Sequence, residues 1–158
     1  MESGAGSGGA IYSGGSLTLT GCTLQSNSVS VSNKGQVGVG GGGAIFSSGT
    51  VDLTDCTFGD NTTRTGLGGG LLSFGKTNLT NCTLNRNADD YGGGAIVRGD
   101  PVSLTNCSLT DNDGVAAILL FGGTSTLTDC EITGNAGSGL WQIGFGDTTS
   151  TINHCVLT

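Results

Sequence analysis

One eleven-residue pattern returns along the whole chain, and it restricts the possible folds more than any other feature. The pattern first appears as LTLTGCTLQSN at 17–27, variants of it end at Asn61, Asn87, Asn112 and Asn135, and a shortened copy, STINHCVLT, occupies 150–158. Its cysteines are 34, 26, 25, 23 and 25 residues apart. A repeat of about 20 to 50 residues is typical of solenoids, propellers and arrays, in which one supersecondary unit stacks on its own copies.

Each repeat contains three short strand signals separated by corner residues. In the first copy these are GGAIYS (8–13), SLTLT (16–20) and CTLQSN (22–27), and Leu17 and Leu19 alternate with threonines in the period of two of a half-buried strand. The 32 glycines of the 158 residues recur with the repeat, which indicates corners and not disorder. Residue types that tolerate left-handed geometry occupy the corner before each cysteine, at Gly21, Asp55, Asn81, Asn106, Asp129 and His154.

These signals predict an all-β protein, a parallel β-helix (solenoid) of about six coils with three short strands per coil, in one domain over 1–158. Equivalent residues would then stack at the strand spacing of about 4.8 Å. We expect a flexible lead at 1–7 and a protruding loop or hairpin at 28–41, or the same segment folded back as a cap. Loops at this corner emerge on one side, which makes it the first choice for a recognition surface. Neither end carries a polar cap, so we expect either an excised piece or a subunit that stacks end to end.

Stacking would turn two repeated residue types into ladders. The cysteine ladder, expected as buried thiols with bridged pairs as the alternative, is Cys22, Cys56, Cys82, Cys107, Cys130 and Cys155. The asparagine ladder, expected to be internal and hydrogen-bonded, is Asn27, Asn61, Asn87, Asn112 and Asn135. Glycosylation sequons at Asn61, Asn78, Asn81 and Asn106 offer a competing interpretation.

The GGAI strand carries two adjacent apolar columns, of which only one can face the interior. We expect the column of Ile11 inside and the other outside, as an exposed stripe for packing against a partner. This candidate interaction stripe is Tyr12, Phe46, Leu72, Val97 and Leu119.

The charge balance excludes two classes of partner. Five Lys and Arg against twelve Asp and Glu give a net charge of −7, which argues against nucleic acid and anionic membrane surfaces. No run of 18 apolar residues suits a transmembrane helix, and residues 1–30 lack a secretion signal. We therefore expect no direct membrane insertion.

GGAI at 8–11, 42–45 and 93–96, together with F-x-x-N at 58–61, resembles the repeat of the chlamydial polymorphic outer membrane proteins and, more widely, autotransporter passenger domains. The resemblance implies a right-handed helix, an extracellular or cell-surface location, and an adhesive or display role. It also implies protein partners, self-association side by side or head to tail, and glycans as further ligands. The other copies carry Leu or Ile in place of Phe.

A carbohydrate-active β-helix enzyme is the alternative function. Asp60, Arg86 and Asp111 fall in one column, for which an alternating salt ladder is the simpler interpretation, so no catalytic residue is assigned. Zinc spacings are missing, and we expect no cofactor, with Ca²⁺ at Asp89–Asp90 or 111–114 as the one candidate metal. The sole histidine, His154, supports no triad.

A third, minor alternative is an ice-binding solenoid. Outward threonine ranks resemble those of β-solenoid antifreeze proteins, although Asp52 and Asn78 interrupt one rank. These threonines are Thr18, Thr20, Thr54, Thr80, Thr105, Thr126 and Thr128.

Overall fold

The chain forms a solenoid of short parallel strands. The computed structural model describes residues 7–30, 41–64, 66–97, 101–144 and 148–158, without the side chains of Ser7 and Val97. Most of the predicted hairpin, 31–40, and most of the predicted flexible lead, 1–6, lie outside the described residues. Within the described ranges no helix is long and apolar enough to cross a membrane.

Three sheets of six parallel strands each build the solenoid. The first sheet consists of β2 (Ile11–Ser13), β7 (Ile45–Ser47), β11 (Leu71–Ser73), β15 (Gly93–Val97), β18 (Ala116–Phe121) and β21 (Ser138–Ile143). The second consists of β3 (Leu17–Thr20), β8 (Val51–Thr54), β12 (Thr77–Thr80), β16 (Val102–Thr105), β19 (Thr124–Thr128) and β22 (Thr149–Asn153). The third consists of β4 (Thr23–Gln25), β9 (Thr57–Gly59), β13 (Thr83–Asn85), β17 (Ser108–Thr110), β20 (Glu131–Thr133) and β23 (Val156–Leu157).

Two smaller parallel sheets occupy the remaining corner. One pairs β1 (Ser7–Gly8) with β6 (Gly41–Gly42), and the other joins β5 (Ser28–Val29), β10 (Thr62–Thr63) and β14 (Ala88–Asp89). Each strand pairs with its copy one repeat away, for example Leu79 with Leu53 on one side and Leu104 on the other. The predicted all-β parallel solenoid with three short strands per coil is therefore confirmed.

The core is the interior of the coil, filled by the alternate residues of all three sheets. Leu53, Leu79, Leu104 and Leu127 stack through the second sheet and are at most 1% exposed. Burial of each such side chain contributes about 1.5–3 kcal/mol. The equivalent residues of the outermost coils, Leu19 and Ile152, are more exposed, because one side of each end coil has no neighbour in the chain.

The corner between the second and third sheets has the predicted left-handed geometry. Its residues have φ between 51° and 63°, and they are Gly21, Asp55, Asn81, Asn106, Asp129 and His154. This geometry turns the strand sharply while the next residue, the cysteine, returns to the interior. Asn and Asp accept the left-handed region at lower cost than other side chains, which explains their frequency at this position.

The glycine pair of GGAI is required by close backbone contacts at the opposite corner. A Cβ at Gly42 would lie 1.7 Å from the carbonyl oxygen of Ile45, and one at Gly43 would lie 1.9 Å from that of Gly69 in the next coil. Because both obstacles are backbone atoms, only glycine fits there.

Candidate functional site

The five asparagines form a continuous internal ladder. The Asn61 side-chain amide donates to Oδ1 of Asn87 (2.8 Å), and the backbone N–H of Asn61 donates to the same oxygen (3.2 Å). The second amide hydrogen of Asn61 goes to the carbonyl of Leu24 (2.9 Å). The pattern repeats from Asn87 to Asn112 and from Asn112 to Asn135, so that each amide donates to the asparagine of the following coil.

This ladder satisfies its buried polar groups completely. No buried side-chain nitrogen or oxygen among the described residues is left without a hydrogen-bond partner. Asn61, Asn87 and Asn112 are at most 1% exposed, so glycosylation of the sequon at Asn61 is incompatible with the fold. The ladder is a structural device that fixes one corner of every coil.

The six cysteines form a second internal column, and all six are free thiols. Several donate weakly to carbonyl oxygens, as Cys56 does to Thr54 (3.2 Å) and Cys130 to Thr128 (3.2 Å). Hydrogen bonds with Cys130 and Cys82 raise the pKa of Cys107, and burial raises the pKa of Cys56, whereas hydrogen bonds with Cys107 lower the pKa values of Cys82 and Cys130. The four central thiols are at most 3% exposed, so they pack as small buried groups, and the bridged alternative is not what the structure shows.

Outside this column, the second corner opens into a surface groove of about 550 Å³. We call it the corner groove. Its polar lining residues come from successive coils at the same two register positions, and they are Asn81, Thr83, Asn106, Ser108, Asp129, Glu131 and His154. The left-handed corner residues form one wall, the first residues of the third-sheet strands form the other, and the cysteine column is the floor.

Hydrogen bonds along the axis hold the corner wall in place. Asn106 donates to Oδ1 of Asn81 (2.9 Å), and Asn81 donates to Oδ1 of Asp55 (3.0 Å). At the far end Nδ1 of His154 lies 3.5 Å from Oδ1 of Asp129. Among the described residues that line the groove there are two carboxylates and no lysine or arginine. Such a groove suits an extended, uncharged chain that offers hydroxyl groups to amides and hydroxyls.

The candidate interaction stripe lies outside the coil, but its middle members are not exposed. Phe46 is 6% exposed, Leu72 is buried completely and Leu119 is 3% exposed, so the expected open stripe is wrong there. Leu67, Phe121 and Ile143 pack against these residues in a second apolar cluster. Phe121 and Ile143 pair with each other two residues after Leu119 and Trp141, in strands that extend further than the earlier copies, and Leu67 lies before β11. The GGAI pattern ends before these positions and therefore did not indicate them.

Among the described side chains of this outer column, those at its two ends reach solvent. Tyr12 is 59% exposed and stacks on Phe46, with ring centroids 5.3 Å apart and planes 2° from parallel. Trp141, which pairs with Leu119 in the last coil, is 45% exposed. Val97 occupies the expected register position beside Leu72, and its side chain lies outside the described residues. The described part of the outer column, which continues one coil beyond the candidate interaction stripe to Trp141, therefore has an exposed aromatic residue at each end and buried residues between them.

The acidic residues lie at different corners. Asp60 is paired with Arg86 (2.7 Å), whose hydrogen bond lowers the pKa of the Asp60 carboxyl. Asp89 is buried beside another loop, and it accepts hydrogen bonds from the backbone N–H groups of Gly68 and Tyr91. Burial raises the pKa of Asp89 to about 6. Among the described residues, no three or more His, Cys, Asp or Glu side chains are grouped as a metal site.

The threonine face is the outer side of the second sheet. Its two ranks follow the strand register, with Thr20, Thr54 and Thr80 in one column. In the other column Asp52 and Asn78 replace threonine, and their side chains are hydrogen-bonded to each other. The strands of this face are therefore regularly spaced, but its side chains are a mixture of threonine, aspartate and asparagine.

The sequence predicts left-handed corners at these positions, but it does not by itself predict the corner groove. A signal was present, since a hydroxyl or carboxyl residue follows two positions after the corner in successive copies, at Thr83, Ser108 and Glu131. That spacing places both side chains outward across the buried cysteine.

The family model described as a right-handed beta helix region matches residues 65–158. No curated protein and no solved structure matches the chain.

Proposed function

This chain belongs to the family of right-handed β-helix proteins, and on that premise we propose that it is a structural and adhesive module of an extracellular or cell-surface protein. Its ligand is an extended neutral glycan that lies along the corner groove. The GGAI and F-x-x-N resemblance to chlamydial outer membrane proteins and autotransporter passengers supports the same class of function.

The observation that carries this proposal is the repetition of the same polar pair across successive coils. Asn81 with Thr83 and Asn106 with Ser108 offer an amide and a hydroxyl at each of two successive coils. Coils follow at about 4.8 Å, so a polymer with regularly spaced hydroxyls meets equivalent partners in sequence. Many weak contacts of this kind suit adhesion, because they act together along one polymer.

The test is retention of the protein by a neutral galactomannan in affinity electrophoresis, with polygalacturonate as the acidic comparison. Replacing Asn81 and Asn106 together by glycine keeps the left-handed corners and removes both amides. We expect galactomannan affinity to fall about tenfold, since several hydrogen bonds of about 0.5–1.5 kcal/mol are lost.

Ser26→Gly is the matched control, because Ser26 also has left-handed geometry (φ 56°) and does not line the groove. It should leave galactomannan affinity within about twofold of the original. Equal losses in the control and in the asparagine double variant would contradict the proposed site. Lack of retention of the original protein by galactomannan would contradict the proposal that a neutral glycan is the ligand.

An enzyme acting on polysaccharide is the second candidate, because Asp129 and Glu131 both line one end of the groove beside His154. Glycoside hydrolysis uses a pair of carboxyl groups. New reducing ends released from galactomannan, lost in Glu131→Gln while binding persists, would establish this candidate and displace the adhesive one. Unchanged polymer after binding supports the adhesive module.

A further inference from the structure

A second pocket, of about 340 Å³, lies on another face of the solenoid, at the corner built by β5 and β10. Its lining residues are Ser28, Val29, Ser30, Thr62 and Arg64. It shares no residue with the corner groove. What it binds is therefore independent of the function proposed above.

Strand register brings the polar lining residues to one outward face. Thr62 pairs with Ser28, and Thr63 pairs with Val29. Thr63 and Val29 are buried on the inner face. Because side chains alternate along a strand, Ser30 and Arg64 return to the outer face one step further. The backbone N–H of Arg64 donates to the carbonyl of Val29 (3.2 Å), which holds this step in register.

The result is a rectangle of four hydrogen-bonding side chains on the outer face of this corner. One column contains Ser28 and Thr62, and the other contains Ser30 and Arg64. Within a column, the two residues lie in adjacent strands, about 4.8 Å apart. The two columns are separated by two residues along the strand, about 6.5 Å. A small ligand can contact all four.

Arg64 supplies the charge of this pocket. The ion pairs of the described residues are Arg86–Asp60 and His154–Asp129, so Arg64 takes part in none of them. Thr63 pairs with Asp89 in the following coil, so the next residues of the two strands, Arg64 and Asp90, fall at equivalent positions. The ion pairs of the described residues do not join Asp90 to Arg64. An exposed guanidinium that is not neutralised by a described acid retains its donors for a ligand.

We propose that this pocket binds a single anionic group, a carboxylate or a sulfate ester, of the kind carried by acidic sugars. The planar guanidinium suits two oxygens of one anion, and the hydroxyls of Ser28, Ser30 and Thr62 donate to the remaining oxygens. The net charge of −7 repels anions elsewhere on the surface, which makes a local cation necessary for such binding.

The experiment is a titration followed by backbone amide chemical shifts, with three separate probes: sodium sulfate, glucuronate, and glucose as the uncharged comparison. We expect saturable shifts at Ser28 to Ser30 and Thr62 to Arg64 with the anions and none with glucose. Equal affinity for sulfate and glucuronate assigns the site to the anionic group alone, and tighter glucuronate binding assigns it to an acidic sugar.

Arg64→Gln should weaken anion binding about tenfold, the usual effect of losing a charge-assisted hydrogen bond. Lys76→Gln is the matched control, because it removes one positive charge from an exposed position that does not line the pocket. Thr62→Val, which keeps shape and removes one hydroxyl, should give a smaller loss. Absence of saturation, or equal losses in the Arg64 and Lys76 variants, would overturn the proposal.

Discussion

At the scale of single residues, the asparagine ladder is the feature most dependent on each member. Asn87→Ala removes the acceptor used by both N–H groups of Asn61, and it leaves the carbonyl of Phe58 without its donor. Buried groups without partners cost about 1–3 kcal/mol each, so we expect the unfolding free energy to fall by about 3–5 kcal/mol. Urea unfolding measures this change.

Asn85→Ala is the control for that substitution, because Asn85 lies two residues earlier, outside the ladder, and is partly exposed. It should change stability by less than about 0.5 kcal/mol. Equal effects at positions 85 and 87 would show that the ladder adds nothing beyond general packing.

The buried carboxyl of Asp89 makes stability depend on pH. Its pKa is raised to about 6 from 3.8, chiefly by burial, so the folded chain binds the proton more tightly than the unfolded chain. This contribution to stability is therefore present at low pH and lost as pH rises through 6. Between pH 7 and pH 4.5 it increases the unfolding free energy by about 2 kcal/mol.

The comparison with Asp89→Asn isolates this effect, since the other carboxyls titrate alike in both proteins. Urea unfolding at pH 7 and pH 4.5 should show the larger gain on acidification in the original chain. The same pH dependence in both proteins would contradict the assignment to Asp89.

At the scale of the repeated element, the GGAI corner tolerates no side chain at its second glycine. Gly43→Ala places a methyl group against the carbonyl oxygen of Gly69 and forces two coils apart. Overpacking of this kind costs about 1–3 kcal/mol or more. Gly14→Ala is the control, because a Cβ there meets no atom within 4 Å. Thermal unfolding should separate the two variants, and equal melting temperatures would contradict the close contact.

The outer column gives a second test at this scale. Phe46→Ala removes a buried ring that contacts Tyr12 and Phe74, and should lower the unfolding free energy by about 3–5 kcal/mol. Tyr12→Ala is the comparison, and its effect should be smaller because Tyr12 is mostly exposed. Chemical unfolding of both variants measures the difference. A larger effect at position 12 would contradict the covered centre of this column.

Predictability from sequence differs between these elements for a physical reason. A leucine or isoleucine recurs at the Leu19 position of every copy, three residues before the cysteine, so the interior of the second sheet and the ladders follow directly from period and spacing. The cover over the outer column depends on Leu67, which lies before β11, and on Phe121 and Ile143, which pair at the ends of the two longest first-sheet strands, beyond the point where β7, β11 and β15 end. The sequence indicates the left-handed corners and the polar residue two positions after each of them, but only the stacking of the coils shows that these two columns enclose the corner groove.

At the scale of the whole molecule, the last coil of the 158-residue polypeptide exposes apolar side chains that favour self-association. Ile152 is 44% exposed and Leu157 is 39% exposed, although their partners Leu127 and Ile132 are buried completely. Unpaired strand edges beside apolar surface favour pairing with another chain. We therefore expect filaments to form as the concentration of this polypeptide rises, visible by electron microscopy.

Ile152→Lys with Leu157→Lys should prevent this self-association, since charges would enter the stacked interior. Thr149→Lys with Thr151→Lys adds the same charge to exposed positions of the last coil and should preserve filaments. A strictly monomeric original polypeptide at millimolar concentration would contradict head-to-tail stacking.

The asparagine ladder also gives the molecule polarity. The side-chain amides of Asn27, Asn61, Asn87 and Asn112 each donate to Oδ1 of the asparagine in the following coil, and Asn135 donates to the carbonyls of Leu109 and Thr133. The two ends of the ladder therefore differ chemically. Two copies that continue these rungs must point the same way, which rules out a twofold-symmetric dimer through the ends. Any filament built in this manner would be polar, and its two ends could grow at unequal rates.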